Sequence, residues 1–153
     1  MVAAAAPVAI SPAGPVNRPP RPVTVLLVDD SKVVRIKTSR LLEKHHYRVL
    51  LADDGLSALR CLMDEMPDLV ITDVEMPGLD GFALTQRLRS EPRWHRLPVI
   101  MVTSADERHR SAALAAGVTV LLGKPYEEAT LLAEVRAVVG QPAAQDSASL
   151  ALQ

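Results

Sequence analysis

The sequence contains few of the residues that mark disulfide-linked, membrane-spanning or nucleic-acid-binding proteins. Its single cysteine, Cys61, has no second cysteine with which to form an internal disulfide. No segment reaches the roughly 18 consecutive apolar residues that span a bilayer. Lysine and arginine number 17 against 18 aspartate and glutamate, so the net charge of -1 gives no general attraction to DNA or anionic lipid. We therefore expect a cytoplasmic protein that binds neither nucleic acid nor membrane.

The two ends of the chain lack the composition that a packed core requires. Six of the first 22 residues are proline and none is aromatic, which predicts a disordered arm over residues 1–22. The prolines also interrupt the apolar stretch that a secretory signal needs. Residues 140–153 are rich in small and polar residues, which predicts a flexible tail. Residues 23–139 remain for one folded domain, and 48% hydrophobic content is enough for its core.

Residues 23–139 alternate between short apolar runs and segments with helical periodicity. The runs predict five strands, at Val23 to Val28, Tyr47 to Leu51, Leu69 to Thr72, Pro98 to Thr103 and Val118 to Leu122. The periodic segments predict five helices, at Ser31 to Lys44, Gly55 to Glu65, Phe82 to Arg89, Glu107 to Ala116 and Glu127 to Val139. Strands that are apolar on both faces are typical of a parallel sheet between two helical layers. The pattern predicts a (βα)5 doubly wound α/β fold.

Charged and polar residues stand at the ends of four predicted strands. Asp29 and Asp30 follow the first strand, Asp73 follows the third, Thr103 ends the fourth and Lys124 follows the fifth. Paired aspartates alone are common in turns, and a lysine before proline commonly marks the end of a helix. The carboxyl ends of parallel strands, however, meet at one edge of a sheet. Their placement at successive strand ends therefore indicates one common site.

The residue types at this edge favour phosphoryl chemistry. Three carboxylates close together repel one another unless a cation lies among them, and Mg²⁺ prefers such oxygen ligands. A carboxylate beside the metal, here that of Asp73, can act as a nucleophile and form an acyl phosphate. Lys124 and Thr103 would offer an ammonium and a hydroxyl to the oxygens of the attached group. The residues thus indicate a Mg²⁺-dependent phosphoryl acceptor.

The strand ends also carry four longer motifs: LLVDDS at Leu26 to Ser31, ITDVEMPGLDGF at Ile71 to Phe82, VTSA at Val102 to Ala105 and GKPY at Gly123 to Tyr126. With these motifs, residues 23–139 resemble the receiver domain of two-component response regulators, the CheY-like family. The stretch around GKPY is also similar to receivers of chemotaxis-type hybrid histidine kinases. The resemblance implies a flavodoxin-like receiver fold for this segment.

The resemblance implies a role for each matching acidic residue. Asp73 would be the phosphoacceptor. Asp30 and Asp73 would ligate Mg²⁺ directly, and Asp29 would contribute through a water molecule. The main-chain carbonyl of Glu75 would supply a further metal ligand.

Thr103 and Lys124 would complete the catalytic set with Asp73. By resemblance, Thr103 binds the phosphoryl group and reports its presence, and Lys124 pairs with the phosphoryl group.

One residue departs from the family pattern: receivers with an aromatic switch carry Tyr or Phe three residues before the lysine, where this chain has Leu121. Leucine at the switch position formed by Thr103 and Leu121 therefore predicts that the output is altered or absent. We interpret the four histidines, which lack ligand spacing, as surface residues: His45, His46, His95 and His109.

These features predict a single-domain response regulator that takes a phosphoryl group onto Asp73 from a sensor histidine kinase or a phosphotransfer protein. It would catalyse only its own phosphorylation and dephosphorylation. Output would run through a downstream protein on the face formed by helix 4, strand 5 and helix 5, or the protein would act as a phosphate sink.

Two alternatives stay open. Leu121 is compatible with a receiver-like interaction module that does not switch. A Mg²⁺-dependent phosphohydrolase of the haloacid dehalogenase type would also use an aspartyl phosphate on an α/β sheet. That family, however, has Asp-x-Asp after its first strand, whereas here the second acid is Glu75, after the third.

Overall fold

The computed structural model describes residues 22–140. The arm predicted at residues 1–22 and the tail predicted at residues 140–153 therefore lie outside the described residues, apart from Pro22 and Gly140, and stay predictions. None of the described helices is both long and apolar enough to cross a membrane.

Strands and helices alternate along the described residues, as the periodicity predicts. The strands are β1 (Thr24–Val28), β2 (Arg48–Ala52), β3 (Leu69–Asp73), β4 (Val99–Thr103) and β5 (Val120–Gly123). The helices are α1 (Lys32–Lys44), α2 (Gly55–Asp64), α3 (Gly81–Arg89), α4 (Asp106–Ala116) and α5 (Glu128–Val139). The first three helices each begin at a side chain that accepts a hydrogen bond from the first turn, as N-caps do, and these caps are Ser31, Asp54 and Asp80.

The five strands form one parallel sheet in the order β2-β1-β3-β4-β5. The three central strands are buried almost throughout, whereas the edge strands β2 and β5 are partly exposed. The chain runs outward from β1 to β2 and returns on the other side at β3, so the order reverses between β1 and β3. Such a reversal opens a crevice at the carboxyl ends of the two strands. The predicted doubly wound α/β fold is confirmed.

Alternate residues of each strand serve the two faces of the sheet, because successive side chains point in opposite directions. In β1, Val25 and Leu27 face a cluster that contains residues of α1 and α5. Leu26 and Val28 face the other cluster, which contains residues of α2 and α3. Trp94 is buried in that second cluster, with Arg93 stacked 4.6 Å from its ring centroid. Two helical layers therefore cover the central strands completely.

The last strand starts later than its apolar pattern predicts. Val118 and Thr119 belong to the turn that closes α4, where Gly117 adopts a positive φ of 93°. The main-chain N–H of Val118 donates back to Ala113, and the Thr119 hydroxyl accepts from the N–H of Val99. The two β-branched residues thus complete the helix end and the sheet edge before β5 begins.

Arg89, at the end of α3, ties several segments together at the amino edge of the sheet. Its Nε donates to the carbonyl of Gly117 at 2.9 Å. Its Nη1 donates to the carbonyl of Leu97 at 2.7 Å and to that of His95 at 3.3 Å. Burial lowers the pKa of the Arg89 guanidinium, because desolvation disfavours the charged form. Charged donors satisfy carbonyls that would otherwise lose partners, so the clamp stabilises the fold.

We predict that Arg89→Ala lowers the free energy of unfolding by about 2–3 kcal/mol, because partly buried carbonyls lose a charged donor. Urea denaturation measures the change. The control is Arg96→Ala, an exposed residue between His95 and Leu97, which is expected to change stability by less than about 0.5 kcal/mol. Equal losses in the two variants would contradict the clamp.

Candidate functional site

The carboxyl ends of β1 and β3 bring three aspartates together. Asp29 and Asp30 follow β1, and Asp73 is the last residue of β3. One carboxylate oxygen from each of the three residues lies within 4.8 Å of the other two. Asp29 is only 6% exposed, Asp30 is exposed, and Asp73 is half-buried. The strand ends therefore form an acidic cluster that is open to solvent on the side of Asp30.

The two carboxylate oxygens of Asp73 have different partners. The main-chain N–H of Val74 donates to Oδ1 at 2.9 Å. The Nζ of Lys124 lies 3.4 Å from Oδ2, and the lysine side chain is 31% exposed. The N–H of Lys124 donates to the carbonyl of Thr103 at 2.7 Å, which fixes the lysine backbone at the end of β4. Asp73 is thus paired with one cation, on a side that solvent reaches.

Burial raises the pKa of the Asp29 carboxyl above its ordinary value of 3.8, because the charged form loses hydration. The main-chain N–H of Ser31 donates to Asp29 Oδ1 at 2.8 Å and works against this shift. The negative charge of Asp73 raises the pKa further, and the positive charge of Lys124 lowers it. Ionised Asp29 therefore costs the folded state free energy.

The start of α3 packs directly on the backbone of Asp73. The main-chain N–H of Gly81 donates to the carbonyl of Val74 at 2.8 Å. A β-carbon at Gly81 would clash with the carbonyl oxygen of Asp73 and lie 3.1 Å from the Cα of Val74. Only glycine permits so close an approach of two backbones. The position of α3 is therefore tied to the position of Asp73.

The hydroxyl of Thr103 is buried and has two polar partners. Thr103 is 2% exposed, and its Oγ1 accepts from the main-chain N–H of Ala105 at 3.1 Å. The Nδ1 of His109 lies 2.8 Å from the same oxygen. The His109 ring also meets Phe82 edge to face, with 5.4 Å between ring centroids. The interpretation of His109 as a surface residue is therefore wrong: its side chain is half-buried and contacts a predicted site residue.

The side chains of two other predicted residues are not part of the acidic cluster. Glu75 is exposed in the loop between β3 and α3. Leu121, in β5, packs with Phe82 against an apolar cluster beneath α4, whose buried members are Val74, Met101 and Ala113. Leu121 thus contributes to packing and has no polar atom to offer Thr103.

The donor set of the acidic cluster fits a hard divalent cation. All three side chains, those of Asp29, Asp30 and Asp73, offer oxygen, which is the ligand atom that Mg²⁺ prefers. The ammonium of Lys124 balances only part of their charge. Asp30 is exposed, which leaves room for the waters that Mg²⁺ usually keeps.

A doubly wound parallel sheet with carboxylates and a lysine at its carboxyl edge defines a receiver-type α/β domain. The family model for the response regulator receiver domain matches residues 25–136. The chain belongs to this family, a component of two-component systems, and the resemblance found in its motifs is confirmed.

Two curated relatives show how the chain compares in length. It is 38% identical over 116 residues to Protein PilH of Pseudomonas aeruginosa, and the aligned residues cover 75% of this chain and 96% of PilH. It is 39% identical over 128 residues to the response regulator MprA of Mycolicibacterium vanbaalenii, and the aligned residues cover 83% of this chain and 54% of MprA. The chain therefore spans nearly all of PilH and about half the length of MprA.

Solved structures share the fold. Chemotaxis protein CheY4 of Vibrio cholerae has a TM-score of 0.72 and 32% identity, over 76% of this chain and 98% of CheY4. The receiver domain of the sensor histidine kinase PA1611 of Pseudomonas aeruginosa has a TM-score of 0.73 and 30% identity, over 79% of this chain and 100% of that domain. The PA1611 structure has a magnesium ion coordinated in its active-site cleft.

We predict that Gly81→Ala lowers the free energy of unfolding by about 2–3 kcal/mol, because the new methyl group forces the backbones of α3 and Asp73 apart. Chemical denaturation measures the loss. Gly78→Asn, three residues earlier in the loop before α3, is the matched control, since Gly78 has open space around it and asparagine tolerates its φ of 75°. A loss in the control as large as that in Gly81→Ala would show that the close approach is unimportant.

A second prediction concerns the pH dependence of stability in EDTA. Because the pKa of Asp29 is raised in the folded state, there is a pH range above about 3.8 in which the folded protein keeps the Asp29 proton and the unfolded chain has lost it. The contribution of Asp29 to the free energy of unfolding therefore falls as pH rises through that range. Asp29→Asn removes that cost and is expected to be more stable than the native protein at pH 7, by on the order of 1 kcal/mol. Thermal unfolding from pH 3 to pH 8 tests this.

The gain from Asp29→Asn is expected to shrink as pH falls through the raised pKa of the folded state and to disappear below the ordinary pKa of 3.8, because the native carboxyl is then neutral in both states. Asp64→Asn, at the exposed end of α2, is the control. A native protein more stable than the Asp29 variant at pH 7 would contradict the direction of the pKa shift.

Proposed function

We propose that this protein receives a phosphoryl group on Asp73 and passes a signal by the resulting change at its surface. The observation that carries the proposal is the contact of Lys124 Nζ with Asp73 Oδ2, 3.4 Å apart, inside a cluster of three carboxylates. A carboxylate with an ammonium beside it is arranged to hold added negative charge.

The proposed reaction is a phosphoryl transfer from a phosphohistidine of a sensor kinase or of a phosphotransfer protein. One carboxylate oxygen of Asp73 attacks phosphorus, so that a P–O bond forms and the P–N bond of the donor breaks. The imidazole leaves with its electron pair and takes a proton from solvent. Water later attacks the acyl phosphate, which releases inorganic phosphate and restores the carboxylate. The protein thus catalyses only its own phosphorylation and dephosphorylation.

Mg²⁺ would be held by the carboxylates of Asp30 and Asp73, with Asp29 acting through a bound water and the main-chain carbonyl of Glu75 as a further ligand. The oxygen-only cluster of three carboxylates supports this assignment. When bound, the metal supplies positive charge to the attacking carboxylate and to the oxygens of the transferred group. The other contacts that we assign to the phosphoryl group come from side chains of this protein.

Lys124 and Thr103 would hold the phosphoryl group from the side of β4 and β5. Lys124 lies beside Asp73 and is accessible from solvent, so its ammonium can pair with an added phosphoryl oxygen. Asp73 pairs with Val102 in the sheet register, and Thr103 follows directly. The Thr103 side chain therefore stands at the end of the neighbouring strand, one residue beyond the residue that pairs with Asp73.

The proposed partners follow from the same site. The receiver domain of a sensor histidine kinase, PA1611, is among the structures similar to this chain, which supports a histidine kinase or phosphotransfer protein as donor. Output would go through protein contact on the α4, β5 and α5 face, or the protein would drain phosphoryl groups from a kinase. That face has a pocket of about 160 Å³, lined by Arg110, Ala113, Leu114, Val118, Thr119 and Leu121.

Intact mass after incubation with acetyl phosphate and Mg²⁺ tests the acceptor. The native chain is expected to gain one phosphoryl group, and Asp73→Asn or EDTA is expected to abolish the adduct. Lys124→Met is expected to reduce its formation by about tenfold or more, because a charge-assisted contact to the phosphoryl group is lost. Asp64→Asn, exposed at the end of α2, is the matched control and should behave as the native chain does.

Two other outcomes would redirect the proposal. Absence of an adduct on the native chain would favour the interaction module that does not switch. Steady release of product from a generic phosphate ester, with many turnovers per protein, would favour a phosphohydrolase; one equivalent per protein is expected for a receiver.

A further inference from the structure

His109 is the residue of the site that the proposed function leaves unexplained. Its Nδ1 lies 2.8 Å from the Thr103 hydroxyl, although the two residues belong to different elements. The His109 main-chain N–H donates to the carbonyl of Ala105 at 2.9 Å, so the helix start fixes the backbone of the histidine. Phe82 holds the ring from the α3 side, with an angle of 79° between ring planes. The imidazole is therefore held against the hydroxyl by two helices.

The hydroxyl of Thr103 has one proton to give. It already accepts from the main-chain N–H of Ala105 at 3.1 Å. If Nδ1 of His109 carries no proton, the hydroxyl donates to it; if Nδ1 is protonated, the ring donates to Oγ1. Only the second arrangement leaves the hydroxyl proton available to another acceptor.

A phosphoryl group on Asp73 has only acceptor oxygens to offer. Thr103 can bind such an oxygen only by donating its proton. The phosphoryl oxygen and an unprotonated Nδ1 of His109 therefore compete for the same proton. When one acceptor takes the hydrogen bond from the Thr103 hydroxyl, the other acceptor loses it.

The ring of His109 is also connected to packing beneath α4. Its neighbour Phe82 packs with Leu121 on the buried residues Val74, Met101 and Ala113. Leu121 itself has no polar atom with which to sense the hydroxyl. Among the described residues, His109 is the side chain outside the acidic site that pairs with the Thr103 hydroxyl.

We propose that His109 is a positioning residue that couples the Thr103 hydroxyl to α3 and α4. In the unphosphorylated protein the hydroxyl donates to Nδ1 of His109. Phosphorylation of Asp73 takes that proton for a phosphoryl oxygen, so the ring either moves its own proton from Nε2 to Nδ1 through solvent or separates from Thr103. This inference rests on the proposed phosphorylation of Asp73.

Nitrogen NMR of the histidine rings tests the coupling directly. The full chain, labelled with ¹⁵N, is measured with Mg²⁺ before and after addition of excess acetyl phosphate, and intact mass of the same sample reports the adduct. As the adduct forms, Nδ1 of His109 is expected either to become protonated or to lose its hydrogen bond from the Thr103 hydroxyl. The rings of His46 and His95, both exposed, serve as internal controls and should not change.

A double-mutant cycle tests whether the effect passes through the hydroxyl. His109→Phe keeps a ring against Phe82 but removes Nδ1. It is expected to lengthen the half-life of the adduct by about three- to tenfold, the effect of one competing hydrogen bond. In a Thr103→Val background the same change is expected to have no effect. His109→Asn places a polar atom near the position of Nδ1 and is expected to restore the native half-life.

The outcomes separate this inference from the proposed function. An adduct on Asp73 without any change at the His109 ring would overturn the coupling and leave the acceptor role intact. So would an equal effect of His109→Phe with and without the Thr103 hydroxyl, because that result indicates packing alone. No adduct on the native chain would overturn both.

Discussion

The crowding of three carboxylates at the carboxyl edge of the sheet is the constraint on which the rest of the site depends. The fold imposes it, because β1 and β3 are neighbours and their ends carry Asp29, Asp30 and Asp73. Burial makes it costly for Asp29, whose pKa is raised by desolvation and by the nearby charge of Asp73. Part of the cost is offset by the ammonium of Lys124 and by main-chain donors. A site held in this way gains when cationic charge enters it, which is a physical reason for it to respond to ligands.

Most of the fold could be predicted from the sequence, because each strand is an apolar run and the segments between the strands have helical periodicity. The start of β5 could not, since Val118 and Thr119 have strand-like side chains that the structure uses to end α4. The acidic cluster could also be predicted, because parallel strands bring their ends together whatever lies between them. The pairing of Thr103 with His109 could not. It depends on how α4 leaves β4, and no periodicity in the sequence records that angle.

The pairing of Thr103 with His109 also changes how the leucine at position 121 is understood. From the sequence alone, Leu121 suggests that a reporter has been lost. In the structure Leu121 packs with Phe82 in an apolar layer, and Phe82 contacts the His109 ring. The polar and the apolar parts of the region are thus divided between two side chains. The histidine supplies the hydrogen bond and the leucine supplies the packing.

Arg89 has a mechanical consequence for the site at the opposite edge of the sheet. It joins the end of α3 to the carbonyl of Gly117, where α4 ends, and to that of Leu97, just before β4. Both helices are therefore held at their carboxyl ends, while the amino end of α3 packs on Asp73 and that of α4 follows Thr103. A helix that is held at its carboxyl end cannot slide along its axis, but it can tilt about that end. We therefore expect a displacement that starts at Asp73 or Thr103 to move α3 and α4 most near the site and least at Arg89.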